Sequence, residues 1–357
     1  MRRQGAEVHI ASFRPVPVEG ARQILPLAPR SGSLSYSDFI FGASQLKTII
    51  KEVKPDVLLC SFTTTYGLLG YLSGFRPFIV QTWSRDIGMD PHIPLRHKLL
   101  VRFPGLRILE KADGITADSE SFKDHLIDRF PNWKHKLLAT SWGIDPEAFA
   151  YTQTETASFR EVLSIPDSAT LIASVRGIKY YYQPEWIIPS LKKLLEKRPD
   201  YHALVLTLGH TREIRAAGLL EELKSHPRFH VIEELLPVEE MARLWQAVDF
   251  FISAPLFDGI PESVQEGALS GALPVLNDIP ANRELMRQGL QAFILDSVQH
   301  EPAELARSLE SFIRTGSQTL ERMKEKNRDF ILNHRNVNVT AQRLIRFMEQ
   351  LSAGTAL

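Results

Sequence analysis

Two acids, Asp258 and Glu266, stand eight positions apart in FDGIPESVQEGALSGALPVL (residues 257–276), with a Gly-Ile-Pro bend between them. Ahead of them DFFISAPL (249–256) is a continuous apolar run, which predicts a buried strand ending near Leu256. Asp258-Gly259-Ile260-Pro261 predicts a bend and Glu262-Ser263-Val264-Gln265-Glu266 the start of a helix, since proline near the first helical position and an acid in the first turn both favour one. Where the carboxyl end of a parallel strand meets a helix N-terminus, phosphates and other anions bind. The backbone N–H groups of Ile260 to Ser263 suit a diphosphate held without a metal. Glu266, one turn inside the helix, suits the two hydroxyls of a ribose, and Asp258 on the loop suits a sugar. Together they describe a nucleotide-sugar. The same spacing also fits an ordinary loop and helix with solubilising acids and a packing stripe of Gly267, Ala268, Ser270 and Gly271.

Such a site needs strands and helices to position it. Continuous apolar strands alternate with helical stretches along most of the chain, the pattern of parallel sheets covered on both faces. In the first half AEVHIASF (6–13), VLLCSF (57–62), RPFIVQTW (76–83), GITAD (114–118) and KLLATSW (136–142) predict strands. Pro15, Pro17, Gly20 and RSGSLSY are read as a polar, breaker-rich connection. Residues 145–168 turn polar and make the domain boundary. The pattern then restarts with TLIASVRG (170–177), HALVLTLG (202–209), FHVIEEL (229–235), DFFISAPL, ALPVLND (272–278) and AFILD (292–296). The expected organisation is a domain over 1–150, a second over 160–330, and a helical tail over 331–357 packing back towards the first. The first domain is read as lacking the initial strand, glycine-rich loop and helix with which a doubly wound domain opens.

Composition limits the function classes. A chain of 357 residues exceeds what one core usually supports, and two domains are the natural expectation. Lys+Arg and Asp+Glu balance at 42 each, so the molecule carries no field that argues for nucleic acid. The single cysteine, Cys60 in DVLLCSF, excludes an internal disulfide and fits a reducing, cytoplasmic compartment; it is read as a buried hydrophobe. No apolar stretch reaches the ~20 residues of a membrane-spanning helix, and MRRQGAEVHIASF is read as having no signal peptide.

Several ordered motifs carry a family resemblance. DGIP-x4-EGALSGALPV resembles the E-x7-E motif, EGFG-x4-EAMA-x-G-x-PV, of the retaining glycosyltransferases of GT-B fold, family 4, with Asp258 standing in the place of the first glutamate. KPDVLLCSF, VQTWSRDIG (80–88), ADGITADSE (112–120) and TSWGIDPEAF (140–149) resemble further segments of that family, and SVRGIK resembles the one whose basic residues meet the donor diphosphate. The resemblance implies an α/β fold of two doubly wound Rossmann-like domains facing across a cleft. It implies transfer of a sugar from a nucleotide-sugar, with UDP or GDP expected, to a glycan or lipid-linked acceptor. The anomeric configuration would be retained, with front-side attack and no cofactor or metal.

By the same resemblance Arg176 and Lys179 stabilise the leaving diphosphate, and Asp86 orients the acceptor or sugar; Lys179 equally fits a solvated surface lysine, and Asp86 a loop cap. Glu266, Gly259, Ile260, Pro261, Glu262, Ser263 and Glu234 are expected to bind the nucleotide-sugar; Gly209, ending the strand LVLTLG, suits close approach of the backbone to the nucleotide, and His210 suits either a contact with the base or an exposed loop. The run Tyr180, Tyr181, Tyr182 departs from the family's usual Lys-Gly, either shaping the donor side or simply packing. Residues 91–107 interleave basic residues, Arg96 and Lys98 among them, with Leu and Phe, which suits peripheral contact with anionic lipid and equally an ordinary solvated helix face. A sugar-nucleotide epimerase of the same fold and a catalytically inactive nucleotide-sugar or protein binder remain alternative readings.

Overall fold

The computed structural model describes residues 1, 4–18, 20–29, 36–83, 95–149, 156–208, 217–295 and 301–354; side chains of residues 36, 95–102 and 156–158 are outside the description. The chain divides into two compact units, Met1–Trp142 with Asn338–Leu357, and Gly143–Val337.

In the first unit β1 (His9–Ser12) and β2 (Gln23–Pro26) pair in parallel. β3 (Leu58–Ser61), β4 (Phe78–Gln81), β5 (Gly114–Ala117) and β6 (Leu137–Ala139) form a separate four-stranded parallel sheet in that order. β4 and β5 are buried along their whole length, which accounts for their continuous apolar sequences. Successive side chains of β4 serve opposite faces: Phe78 and Val80 pack with Ile108, Ile115 and Phe122, and Ile79 packs with Leu344 and Phe347 of the Val337–Ser352 helix. That helix closes on Gly114, where a Cβ would meet Phe347 at 2.8 Å and Leu351 at 2.7 Å. Lys136 is buried and donates to the carbonyls of Leu109, Glu110 and Ala112 at 2.8–3.0 Å, ending the Leu95–Lys111 helix. β2 falls inside the stretch read as a connection. It is a four-residue strand, exposed at both ends and closed by Pro26, and so too short and too polar at its ends to show an apolar pattern.

Cys60 is buried, its thiol pushed up to about 12 by desolvation, and a Cβ on Gly70 would meet its sulfur at 2.6 Å. It is a packing residue. Among the described residues no helix is long and apolar enough to cross a membrane.

The second unit has one six-stranded, all-parallel sheet: β7 (Thr170–Ser174), β8 (Tyr201–Leu206), β9 (Phe229–Ile232), β10 (Phe250–Ser253), β11 (Leu273–Asn277) and β12 (Phe293–Leu295), in the order β12-β11-β10-β7-β8-β9. The order reverses between β7 and β10, the topological switch point at which open α/β sheets bind ligands beyond the carboxyl ends of their strands. Period-two alternation again feeds two cores. Leu171, Ala173 and Phe251 meet Trp245, Val264 and Ala268 on one face, and Ile172, Ile252 and Val275 meet Ile188, Leu191 and Leu305 on the other.

Candidate functional site

β7 ends at Ser174 and the chain bends at Gly177, whose φ of +77° suits glycine and whose Cβ position lies 3.2 Å from Leu208 beyond β8. The bend places Arg176 at the switch point. β10 ends at Ser253, and the loop that follows brings Asp258 back to the same place, where Arg176 Nη2 donates to Asp258 Oδ2 at 2.5 Å. Asp258 Oδ1 also accepts from the Gly259 N–H at 3.0 Å. Arg176 sits over the Tyr182 ring, 4.7 Å from its centroid, and its Nη2 donates to the Tyr182 hydroxyl at 3.2 Å. The Tyr180–Tyr182 turn is itself tied to the exit of β10: Leu256 N–H donates to the Tyr181 carbonyl at 2.8 Å, and Gln183 Nε2 to the Ala254 carbonyl at 2.6 Å. Burial works against the Arg176 charge, but Asp258 and Tyr182 outweigh it, holding the guanidinium above its ordinary pKa.

The helix Glu262–Ser270 begins with Pro261 at its N-cap, and no side chain caps it. Its first N–H groups therefore have no partner of the kind a serine or aspartate cap supplies. Its seat is tight: a Cβ on Gly267 would meet Phe251 at 2.8 Å and Trp245 at 2.9 Å, so the small-residue stripe is a packing face. Gly271, at φ +97°, ends the helix with its N–H on the Gly267 carbonyl. Glu266 faces Trp245, whose Nε1 donates to Glu266 Oε2 at 3.2 Å. Desolvation, with a smaller push from Glu262, raises the Glu266 carboxyl above its usual range against the Trp245 and Arg176 contributions. Glu262 is shifted the same way, by burial, with Arg176 opposing; its side chain is exposed, so water screens much of that effect.

Among the described residues, Arg176 Nη1, Ser263 Oγ, Ser253 Oγ and Thr207 Oγ1 are buried near these strand ends with no hydrogen-bond partner. An unpaired buried polar atom costs ~1–3 kcal/mol, and more when it is charged. Arg176 and Ser263 flank the uncapped helix start, so donors converge there. Among the described residues no three His, Cys, Asp or Glu side chains gather as a metal site would. A surface hollow of about 300 Å³ bordered by Lys192, Glu196, Glu222 and His226 lies elsewhere, towards the amino ends of the strands.

Of the residues singled out in the sequence, the structure brings Arg176, Asp258, Gly259, Ile260, Pro261, Glu262, Ser263 and Glu266 together. Lys179 is half-buried, its carbonyl accepting the Tyr182 N–H, and it makes no ion pair among the described residues. Glu234 is exposed on the loop after β9. Asp86, Gly209 and His210 lie outside the described residues, as do residues 91–94 and the side chains of Leu95–Arg102 in the basic stretch 91–107. Sequence reasoning did not find Trp245 or the seat that Tyr182 gives Arg176. Trp245 lies on the buried face of an amphipathic helix, where nothing in the pattern says what its N–H will meet.

Residues 1–119 match the family model described as Glycosyl transferase 4-like. The fold is GT-B. A glycosyltransferase from Rickettsia africae superposes with a TM-score of 0.75 at 16% identity, covering 98% of this chain and 91% of that one. Sucrose-phosphate synthase from Thermosynechococcus elongatus gives 0.79 at 14%, covering 99% and 91%. Anabaena HepE in complex with UDP and glucose gives 0.74 at 15%, covering 93% and 87%. By sequence the chain is 22% identical over 213 residues to the D-inositol 3-phosphate glycosyltransferase of Corynebacterium kroppenstedtii, covering 57% of this chain and 46% of that protein. It is 22% identical over 217 residues to YtcC of Bacillus subtilis, provisionally named as a glycosyltransferase, covering 58% and 53%. The matched region thus spans about half the length of these relatives. This GT-B protein carries the Arg176–Asp258 pair at the switch point of its second Rossmann-like unit.

Proposed function

We infer that this chain transfers a sugar from a nucleotide-sugar to a glycan or lipid-linked acceptor with retention of anomeric configuration. The observation that carries the reading is the convergence of Arg176, with its unpartnered Nη1, on the uncapped start of the Glu262–Ser270 helix. In this reading the diphosphate accepts from Arg176, the Ser263 hydroxyl and the helix N–H groups, with Pro261 fixing the turn. As the sugar–phosphate bond breaks, negative charge grows on the distal phosphate, and these prepositioned donors lower the barrier with no metal required. Lys179 adds a point charge where Arg176 adds a rigid fork. Glu266, oriented by the Trp245 N–H, takes the ribose hydroxyls, and Asp258 turns from Arg176 to the donor sugar. Asp86, Gly209, His210 and Glu234 complete the expected contacts. The departing phosphate takes the acceptor proton, and attack comes from the face the phosphate leaves. HepE, of the same fold, is a UDP and glucose complex, which favours a UDP-sugar as donor. The reading keeps peripheral lipid contact through residues 91–107, within which Phe103, on the Leu95–Lys111 helix, is 70% exposed.

The test is calorimetric titration of UDP-, GDP-, ADP- and CMP-sugars and the free nucleotides into the full chain. One nucleotide is expected to bind, and Arg176→Ala to weaken it by ~100-fold, the scale for removing one partner of a buried charge pair. Binding by none of them, or binding that Arg176→Ala leaves intact, overturns the reading.

A further inference from the structure

The first unit carries an aromatic row that the donor site does not use. Phe62 follows β3, Trp83 is two residues beyond the end of β4, and Trp142 comes shortly after β6. The Phe62 and Trp83 rings are near-parallel, 5.7 Å apart at 25°, and Trp83 and Trp142 are 6.3 Å apart at 33°. The row therefore crosses the carboxyl ends of the four-stranded sheet, the edge at which parallel sheets bind ligands. Both ends of the row are open to solvent: Phe62 is 45% and Trp142 40% exposed.

Packing alone does not account for this arrangement. Phe62 has φ +64°, a left-handed backbone that a bulky non-glycine residue adopts at a cost of ~1–3 kcal/mol and that clusters at ligand sites. A ring turned out to solvent does not recover that cost through burial. Trp142 is fixed by Thr340, whose hydroxyl donates to its carbonyl at 3.2 Å. The row's surroundings identify its occupant. The segments SFTTTY, VQTW and ATSWG that carry the three rings contain no charged residue and are rich in hydroxyl and amide groups, while Asp118 follows β5 between them. Among the described residues Thr65 Oγ1 is buried without a partner, while Ser61 and Gln81 bind each other at 3.1 Å. A neutral ligand with one apolar C–H face and a hydroxyl rim matches this set. The electron-rich ring faces attract its C–H edges, and the amide and hydroxyls meet its rim.

We propose that Phe62, Trp83 and Trp142 form a stacking platform for a pyranose ring of a neutral saccharide. That the saccharide is the acceptor of sugar transfer rests on the reading above; that it binds here does not.

Saturation-transfer NMR on the full chain tests this, with irradiation of aromatic protons and methyl glucoside, methyl galactoside, methyl mannoside, cellobiose and maltose as probes. Octyl glucoside serves as the lipid comparator. Stacking predicts saturation concentrated on the C–H protons of one ring face. The signal should fall at least 10-fold in Phe62→Leu and in Trp142→Leu, and return in Trp142→Tyr, with melting curves identifying any variant that is unfolded. Absence of saccharide signal, signal that survives both leucine variants, or signal confined to the octyl chain overturns the platform. A parallel UDP titration separates the two readings. Saccharide binding without UDP binding leaves the platform standing and removes the transferase, and UDP binding without saccharide binding does the reverse.

Discussion

β7 and β10 are joined by an arginine–aspartate pair at each end, and the two pairs are built differently. At the amino ends Arg160 donates from Nε to the Ala247 carbonyl, from Nη1 to the Pro166 and Ala169 carbonyls, and from Nη2 to Asp249 at 2.7 Å. Asp249 also accepts the Leu171 N–H. At the carboxyl ends Arg176 has, among the described residues, only Asp258 and Tyr182, and leaves Nη1 buried and unpaired there. One arginine is complete within the fold; the other keeps one nitrogen with no partner among the described residues. The pairing of charges is the same, so what separates the two ends is the unsatisfied nitrogen, a cost that the ligand of the proposed reading would offset.

Substitution should separate the two ends. Arg160→Met is expected to have the largest effect on stability, ~3 kcal/mol, because it abandons three carbonyls and a carboxylate, while nucleotide affinity in the surviving fold is unchanged. Urea denaturation and calorimetry measure the two. Arg176→Ala should reverse this order, with a large loss of affinity and a small change in midpoint; equal stability losses at the two positions would erase the distinction.

The ends should also respond to protons with opposite sign. His202 and His230, near the amino ends of β8 and β9, share a 3.1 Å contact between Nδ1 and Nε2. Desolvation, with His202 adding to it, lowers His230 to about 4, and desolvation with Arg228 and Arg160 lowers His202. The unfolded histidines take protons at their ordinary value of 6.5, which the folded pair resists, so stability present above pH 6.5 is lost as pH falls through about 4. The urea midpoint should decline over that range, less steeply in His230→Gln, by a few kcal/mol at most. At the carboxyl ends Glu266 is raised instead. The folded state holds its proton more readily than the unfolded one, so stability rises as pH falls into the window above the ordinary glutamate value. Glu266→Gln should therefore leave the melting temperature unchanged or raise it by about 1–3 °C while weakening nucleotide binding ~10-fold. A loss of melting temperature in that variant would mean that Glu266 serves the fold.

The sequence shows the carboxyl end far better than the amino end. Asp258 and Glu266 sit in one continuous segment with a proline bend and a helix start, signals that act over a few residues. Arg176 follows a strand whose apolar run is unmistakable. The Arg160 network joins residues up to 89 positions apart through backbone carbonyls, which carry no side-chain signature. Alternating strands and helices are equally local, which is why the architecture is legible. β2 is not, because four residues with exposed ends have no room for a pattern. Tyr182 was visible only as a departure from the family; its place under Arg176 depends on a turn held to β10 by tertiary hydrogen bonds. The aromatic row is likewise assembled from three strand ends, each contributing one ordinary-looking residue.

The return of the Val337–Ser352 helix to the first unit makes the order of synthesis matter. Ile79, Leu59 and Leu138 meet Leu344, Phe347 and Leu351 only after the whole of Gly143–Val337 has been made. At ribosomal speeds of roughly 5–20 residues per second that interval is about 10–40 s. The second unit, continuous in the chain, can fold as it emerges. The first must wait, with one apolar face of its sheet uncovered, and so the half of the protein begun first is the half finished last.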